Sequence, residues 1–279
     1  MSSAEQPTMR VGGQALADGV LMRAGRNWAV ARADGSIETG VLPVHRMAQV
    51  PLVRVLTGLV PSLVRGLGAM RGRGSRPGAT FRVRWSLPLF LLVPFAVDLA
   101  IGRLLPATSS VWWLAAGRTV LAMALQLVAL RLVLPAAMWR YHGAEHKAVA
   151  AFEAGVDVTD VAAVLDYSRI HVRCGTNVVA ILILLATIPM QVNIAVSALL
   201  WVPMLAGAVE LVSAAAKSPL RPVSRAVLAG GRLLQRYVTT SEPTFAEQAV
   251  ACRALSACLA AVPVVVPAQR SGAALQPAS

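Results

Sequence analysis

A mainly α, polytopic membrane protein with about four transmembrane helices and a small N-terminal β-hairpin element is the fold class this sequence predicts. Three observations carry that expectation. The 279-residue chain is 56% hydrophobic, has a mean hydropathy of +0.63 and is only 14% charged, too apolar for an ordinary soluble domain. Four apolar runs, Leu87 to Leu105, Thr119 to Met138, Asn177 to Met190 and Ile194 to Val212, approach the roughly twenty residues that a bilayer core demands. Ahead of them, residues 12–40 combine alternating segments with turn chemistry at Asp34-Gly35, as a hairpin requires.

The elements follow in chain order. Residues 1–46 form the Gly-rich and hairpin element. Residues 47–84 hold an apolar segment interrupted by Arg54, Pro61 and Arg65, which reads as an interfacial or re-entrant helix followed by a basic stretch. Residues 85–216 carry the four spans, with a loop over 139–176. Arg131 inside the second run is costly in lipid and is expected to face the bundle or pair with an acid such as Asp98. Residues 217–262 are helical, with Thr244 as N-cap and Glu247 three residues on as its reciprocal partner. Residues 263–279 lack periodicity and read as a disordered tail.

Charge orients the bundle. Arg65, Arg71, Arg73, Arg76, Arg82 and Arg84 precede the first run, and Lys217, Arg221, Arg225, Arg232 and Arg236 follow the fourth, so both termini and the 139–176 loop are expected on the cytoplasmic side of the cell membrane. The net charge of +13 does not indicate nucleic acid, because aromatic residues are only 5% of the chain and offer no stacking surface. The expected partners are the lipid bilayer and its anionic headgroups. Cys174, Cys252 and Cys258 are an odd set without framework spacing, which fits reduced thiols, the last two as helix packing residues. The first apolar run starts too late for a secretory signal, so no cleavable targeting segment is expected.

The chemistry is concentrated in "MWRYHGAEHKAVAAFEAG". On a helix, His142 and His146 at i and i+4 share one face and Glu145 lies beside them. This is the H-x-x-E-H arrangement of zinc hydrolases, in which two histidines bind the metal and the glutamate activates water. Candidates to complete the site are His171 and Cys174 in "SRIHVRCGT", which the loop must return to the same membrane face. Glu210, an acid inside an apolar run, is a further ligand or a partner that holds a histidine tautomer. Glu153 is a weaker alternative on the same helix face as His146. Gln14, Asp18 and Arg23 are an unusual polar set in a Gly-rich turn and are supporting candidates. His45 reads as a surface residue.

Together "GGQALADGVLMR", "YHGAEHKAVAAFEAG", "SRIHVRCGT", "VELV" and "RYVTTSEP" resemble the YqhQ-like bacterial membrane proteins, a family of unknown function described as predicted metal-dependent enzymes. The resemblance implies an integral membrane protein whose polar signature maps onto His142, Glu145, His146, His171 and Cys174. The sequence departs from the usual family pattern at Asp18, Val209 and Ser241. Two functions follow as expectations. One is a metal-dependent hydrolase with a divalent metal, zinc foremost, and Glu145 as general base. The other is a scaffold, or a protein that binds lipid or a partner, in which the His/Cys group is a structural metal staple. Ligand count separates them: four protein ligands close a site, three leave room for water.

Overall fold

The computed structural model describes residues 9, 11–42, 96, 99, 100, 103, 112–186 and 194–261. The interfacial segment of 47–84, Asp98, His45, most of the expected first span and the tail of 263–279 lie outside the described residues. What is described is mainly helical, with a four-stranded antiparallel sheet at the N-terminus.

The sheet is a meander of β1 (Val11–Ala15), β2 (Gly19–Ala24), β3 (Asn27–Arg32) and β4 (Ile37–Val41) in sequential order. The expected hairpin is its second half. Asp34-Gly35 turns β3 into β4, with Gly35 at φ +92° and the Asp34 carboxylate accepting from the Ser36 amide at 2.9 Å. The first half escaped the alternation test for a physical reason. Strand β2, "GVLMRA", is buried on both faces: Val20, Met22 and Ala24 face the helices, while Leu21 packs with Leu16, Val30 and Trp28 on the other side. A strand covered on both sides has no polar alternation to read. Gly25, at φ +58°, makes the tight β2–β3 turn.

Helix α1 (Trp112–Val133) ends before Pro135, and α2 (Ala136–Glu153) starts directly after it. The run from Thr119 to Met138 is therefore two helices, because proline has no amide to continue the α1 ladder and disfavours helical backbone in the residue before it. Helix α3 (Val161–Leu165) is capped by the Asp160 carboxylate, which accepts from the Ala163 amide. Then come α4 (Gly175–Ala186), α5 (Ile194–Lys217), α6 (Pro222–Leu234), a π-helical turn (Gln235–Thr239) and α7 (Phe245–Ala260). Helix α7 carries the expected capping box between Thr244 and Glu247.

Two cores result. The larger joins the ends of the chain: Val250, Ala251, Cys252, Ala254, Leu255 and Cys258 of α7 pack with β2, β3 and the Tyr141, Ala144 and Ala148 face of α2. Burial of both cysteines agrees with their reading as packing residues. The smaller core joins α4, α5 and α6 through Ile181, Ala208, Val212 and Leu228. Helix α1 packs little. Among the described residues its segment Ala116–Val133 is the one helix long and apolar enough to cross a membrane, and only 6% of that window is buried. The described structure does not establish the other expected spans. Arg131, near the end of α1, donates from Nη2 to Ser241 Oγ at 2.7 Å and lies over the Trp139 ring.

Candidate metal centre

Helix α2 presents His142, Glu145 and His146 on one side, and the sequence around them fixes their orientation. Gly143 lets the chain after the π turn cross the helix closely: a Cβ there would overlap the Ser241 carbonyl oxygen. The Ser241 amide in turn donates to the Trp139 carbonyl at 2.9 Å. That crossing brings the Thr239 carbonyl to His142 Nδ1 at 2.6 Å. On the other flank the loop before α4 brings the Arg169 carbonyl to His146 Nδ1, also at 2.6 Å. A carbonyl can only accept, so both imidazoles donate from Nδ1, which makes Nε2 the lone-pair nitrogen of the neutral ring.

Nε2 of His142 meets Cys174, immediately before α4. Its Sγ is 3.5 Å from His142 Nε2, and the ligand atoms of His142, His146 and Cys174 all lie within 4.8 Å of one another. The Thr176 amide points at Sγ from 3.4 Å, at a helix N-terminus, where the backbone carries positive charge. Zinc holds nitrogen at about 2.0–2.1 Å and sulfur at about 2.3 Å, so tetrahedral ligands stand roughly 3.3–3.6 Å apart. The donor set and spacing fit such an ion after closure of the triangle by about an ångström.

The three ligands floor a cleft of about 190 Å³ lined also by Glu145, His171 and Arg173 and by Val11, Gly12 and Gly13 of β1. Glu145 is buried, and among the described residues no donor hydrogen-bonds its carboxylate. A Cβ on Gly13 would overlap the Leu21 carbonyl oxygen and Met22 Sδ and come within 2.9 Å of Glu145 Cγ, so glycine suits both the sheet and this approach.

The remaining candidates are placed differently. His171 lies beside His146, ring centroids 5.9 Å apart, but its Nε2 bonds Glu153 Oε2 at 3.2 Å and its Nδ1 accepts from the Arg173 amide at 3.3 Å. Glu153 also pairs with the Arg173 guanidinium. Burial lowers the His171 pKa below the usual imidazole value, and the charge of Glu145 only partly offsets this. Glu210 is half-buried on α5 and neither lines the cleft nor joins the three-ligand group. Asp18 is committed to the sheet, where it accepts from Arg32 Nη1 at 2.9 Å. Gln14 sits on β1 and Arg23 on β2, and neither lines the cleft.

Several contributors were not foreseen. Thr239 and Arg169 act through backbone carbonyls, for which side-chain identity gives no signal. Gly12 and Gly13 were visible as an unexplained glycine pair. Arg169 and Lys147 share Glu242, at 2.9 and 3.0 Å, which ties "RYVTTSEP" to the site. Burial raises the Glu242 pKa, but hydrogen bonds and charge from Lys147 and Arg169 outweigh it and hold the carboxyl below its usual range.

A helical protein whose C-terminal helix clasps a small N-terminal sheet, and which gathers two oriented imidazoles and a thiol beneath a strand edge, is the class that this fold and site define. The chain belongs to the family described as protein of unknown function DUF1385, which it matches over residues 78–261, more than half its length. The match takes in all three converging ligands and begins after the sheet. No curated protein and no solved structure matches the chain.

Proposed function

We propose that the protein is a membrane-embedded, metal-dependent hydrolase of the zinc type, with His142, His146 and Cys174 holding the metal and Glu145 as general base. One observation carries this reading: both imidazoles are locked at Nδ1 by backbone carbonyls, His142 Nε2 stands 3.5 Å from Cys174 Sγ, and His146 brings its ligand atom within 4.8 Å of both. Fixing the tautomer through the second ring nitrogen is how proteins prepare histidine ligands. A divalent ion held there would supply Lewis-acid polarisation of a substrate carbonyl or phosphoryl oxygen. Glu145, lacking a hydrogen-bond donor and lining the same cleft, would take a proton from water. His171, occupied at both ring nitrogens, would stay out of the coordination sphere and leave a position open. That favours catalysis over the structural staple.

The four apolar runs and α1 support a multi-pass protein, and the flanking arginines support a cytoplasmic site near anionic headgroups. The resemblance to YqhQ-like proteins points the same way. The test is metal analysis of detergent-purified wild type, H142A/H146A and E145Q. About one equivalent of zinc in wild type and E145Q, and none in the double variant, is expected for three ligands plus a base. Absence of metal from wild type would overturn the reading.

A further inference from the structure

The cleft wall opposite the ligands is backbone. Leu16 N donates to Gly19 O at 2.9 Å, so this is a hydrogen-bonded pair of the β1–β2 ladder. Such pairs alternate in antiparallel strands. Given the register Gln14↔Leu21 and Gly12↔Arg23, those are the next two, and the amides and carbonyls of Val11, Gly13 and Ala15 point away from β2. The Val11 carbonyl agrees, since it accepts from Arg173 Nη2 at 3.5 Å on that outer side. Among the described residues β2 alone pairs with β1. Exposed edge strands usually carry charges or prolines that discourage pairing. β1 instead places two glycines, Gly12 and Gly13, on the cleft, with Glu145 beneath Gly13.

We propose that the outer edge of β1 seats an extended polypeptide by strand addition, so that the substrate class of the site is the peptide bond. This rests on the hydrolase reading above. Strand addition takes its affinity from main-chain hydrogen bonds, and Gly13 offers both a donor and an acceptor without a side chain in the way. The charge balance agrees. Arg173 is engaged by Glu153, and Glu145 adds a negative group, so the cleft favours a neutral amide over a polyanion. In the reaction the water oxygen bonds to the carbonyl carbon and Glu145 takes its proton. The C–N bond then breaks as Glu145 passes that proton to the departing nitrogen, the second water proton follows it, and a carboxylate and an ammonium group leave.

The experiment incubates zinc-loaded, detergent-purified full-length protein with a randomised mixture of quenched linear peptides and with the same mixture N-methylated on its backbone. Binding is read separately by fluorescence anisotropy of both mixtures on E145Q. Cleavage of the plain mixture is expected, with at least about a tenfold loss of rate and of binding on N-methylation, as loss of one or two main-chain hydrogen bonds gives. Equal handling of both mixtures overturns the proposal. So does hydrolysis of a phospholipid or phosphate monoester without peptide cleavage, although that leaves the hydrolase reading standing. Failure of wild type to hold zinc sinks the hydrolase reading, and N-methyl-sensitive binding to the same protein would then still support the β1 edge.

Discussion

Cys174 Sγ stands 3.5 Å from His142 Nε2, the spacing of two ligands on one tetrahedral zinc, although 32 residues separate them in the chain. Hydrogen bonding alone would accept many geometries, but convergence of His146 on the same point defines a three-cornered site. Cys174→Ala is therefore expected to weaken zinc binding by well over tenfold, whereas His171→Ala should hold zinc within a few-fold of wild type, because that ring serves Glu153 rather than the metal. Competition with a chromophoric chelator measures both. Equal losses in the two variants would show that His171 is a ligand.

Gly143 tests how the histidines are aimed. A methyl group there meets the Ser241 carbonyl, which must move, and the Thr239 carbonyl on His142 lies just before it in the chain. Gly143→Ala is expected to cost about 1–3 kcal/mol of stability, the usual range for overpacking. It should also lower zinc affinity by about 10–100-fold, as loss of an outer partner of a metal-bound histidine does. Denaturant melts and chelator competition on the same preparations separate the two effects. Unchanged affinity would mean that the Thr239 carbonyl does not orient His142.

The sheet and the site are separable through Asp18. Its carboxylate bonds Arg32, whose side chain is 1% exposed, so removing the acid leaves a buried guanidinium short of a partner. Asp18→Ala is expected to lose about 3–5 kcal/mol, the range for a broken buried ion pair. The folded fraction should bind zinc as wild type does, because Asp18 does not line the cleft. A zinc defect at full folding would return Asp18 to the site.

How far the sequence exposed this arrangement depended on which atoms carry the information. The i, i+4 spacing of His142 and His146 is written in side chains on one helix, and Cys174 was reached because a closed loop must bring it back. Both capping residues of α7 were legible for the same local reason. Glu210 lies apart from the three-ligand group, and an acid in an apolar run signals cost without saying where its partner lies. The histidine tautomers depend on the carbonyls of Thr239 and Arg169, which any residue would offer. Clasping of β2 and β3 by α7 is a contact between the two ends of the chain, and α7 carries no pattern that specifies a sheet as its partner.

Thiol chemistry should resolve the three cysteines. Burial pushes the Cys252 and Cys258 thiols above their ordinary value of 9.0, so in the folded protein both stay protonated and unreactive. Because the folded values are raised, their contribution to stability is complete below about pH 9 and is lost as pH rises through the folded values. Maleimide is expected to label only Cys174, and only in zinc-stripped protein, with Cys252 and Cys258 reacting on unfolding or in strongly alkaline buffer. Peptide mapping of the adducts reads this out. Labelling of Cys174 at an equal rate with and without zinc would remove it from the ligand set.

The membrane reading has its own test in α1. Leu125 lies near the middle of the Ala116–Val133 window and is 43% exposed, with Leu121 and Val128 exposed one turn to either side. In water this face would be an apolar liability, and in lipid it is the face that makes insertion favourable. Leu125→Arg should make insertion less favourable by about 2.5–3.5 kcal/mol, the cost of an arginine at a span centre. With α1 placed between reporter domains carrying glycosylation sites, the inserted fraction should fall from a majority to a small minority. Leu255→Arg, which charges a fully buried α7 position, is expected to unfold the larger core while leaving α1 insertion in the full-length chain unchanged. If Leu125→Arg inserted as well as wild type, α1 would not be a span.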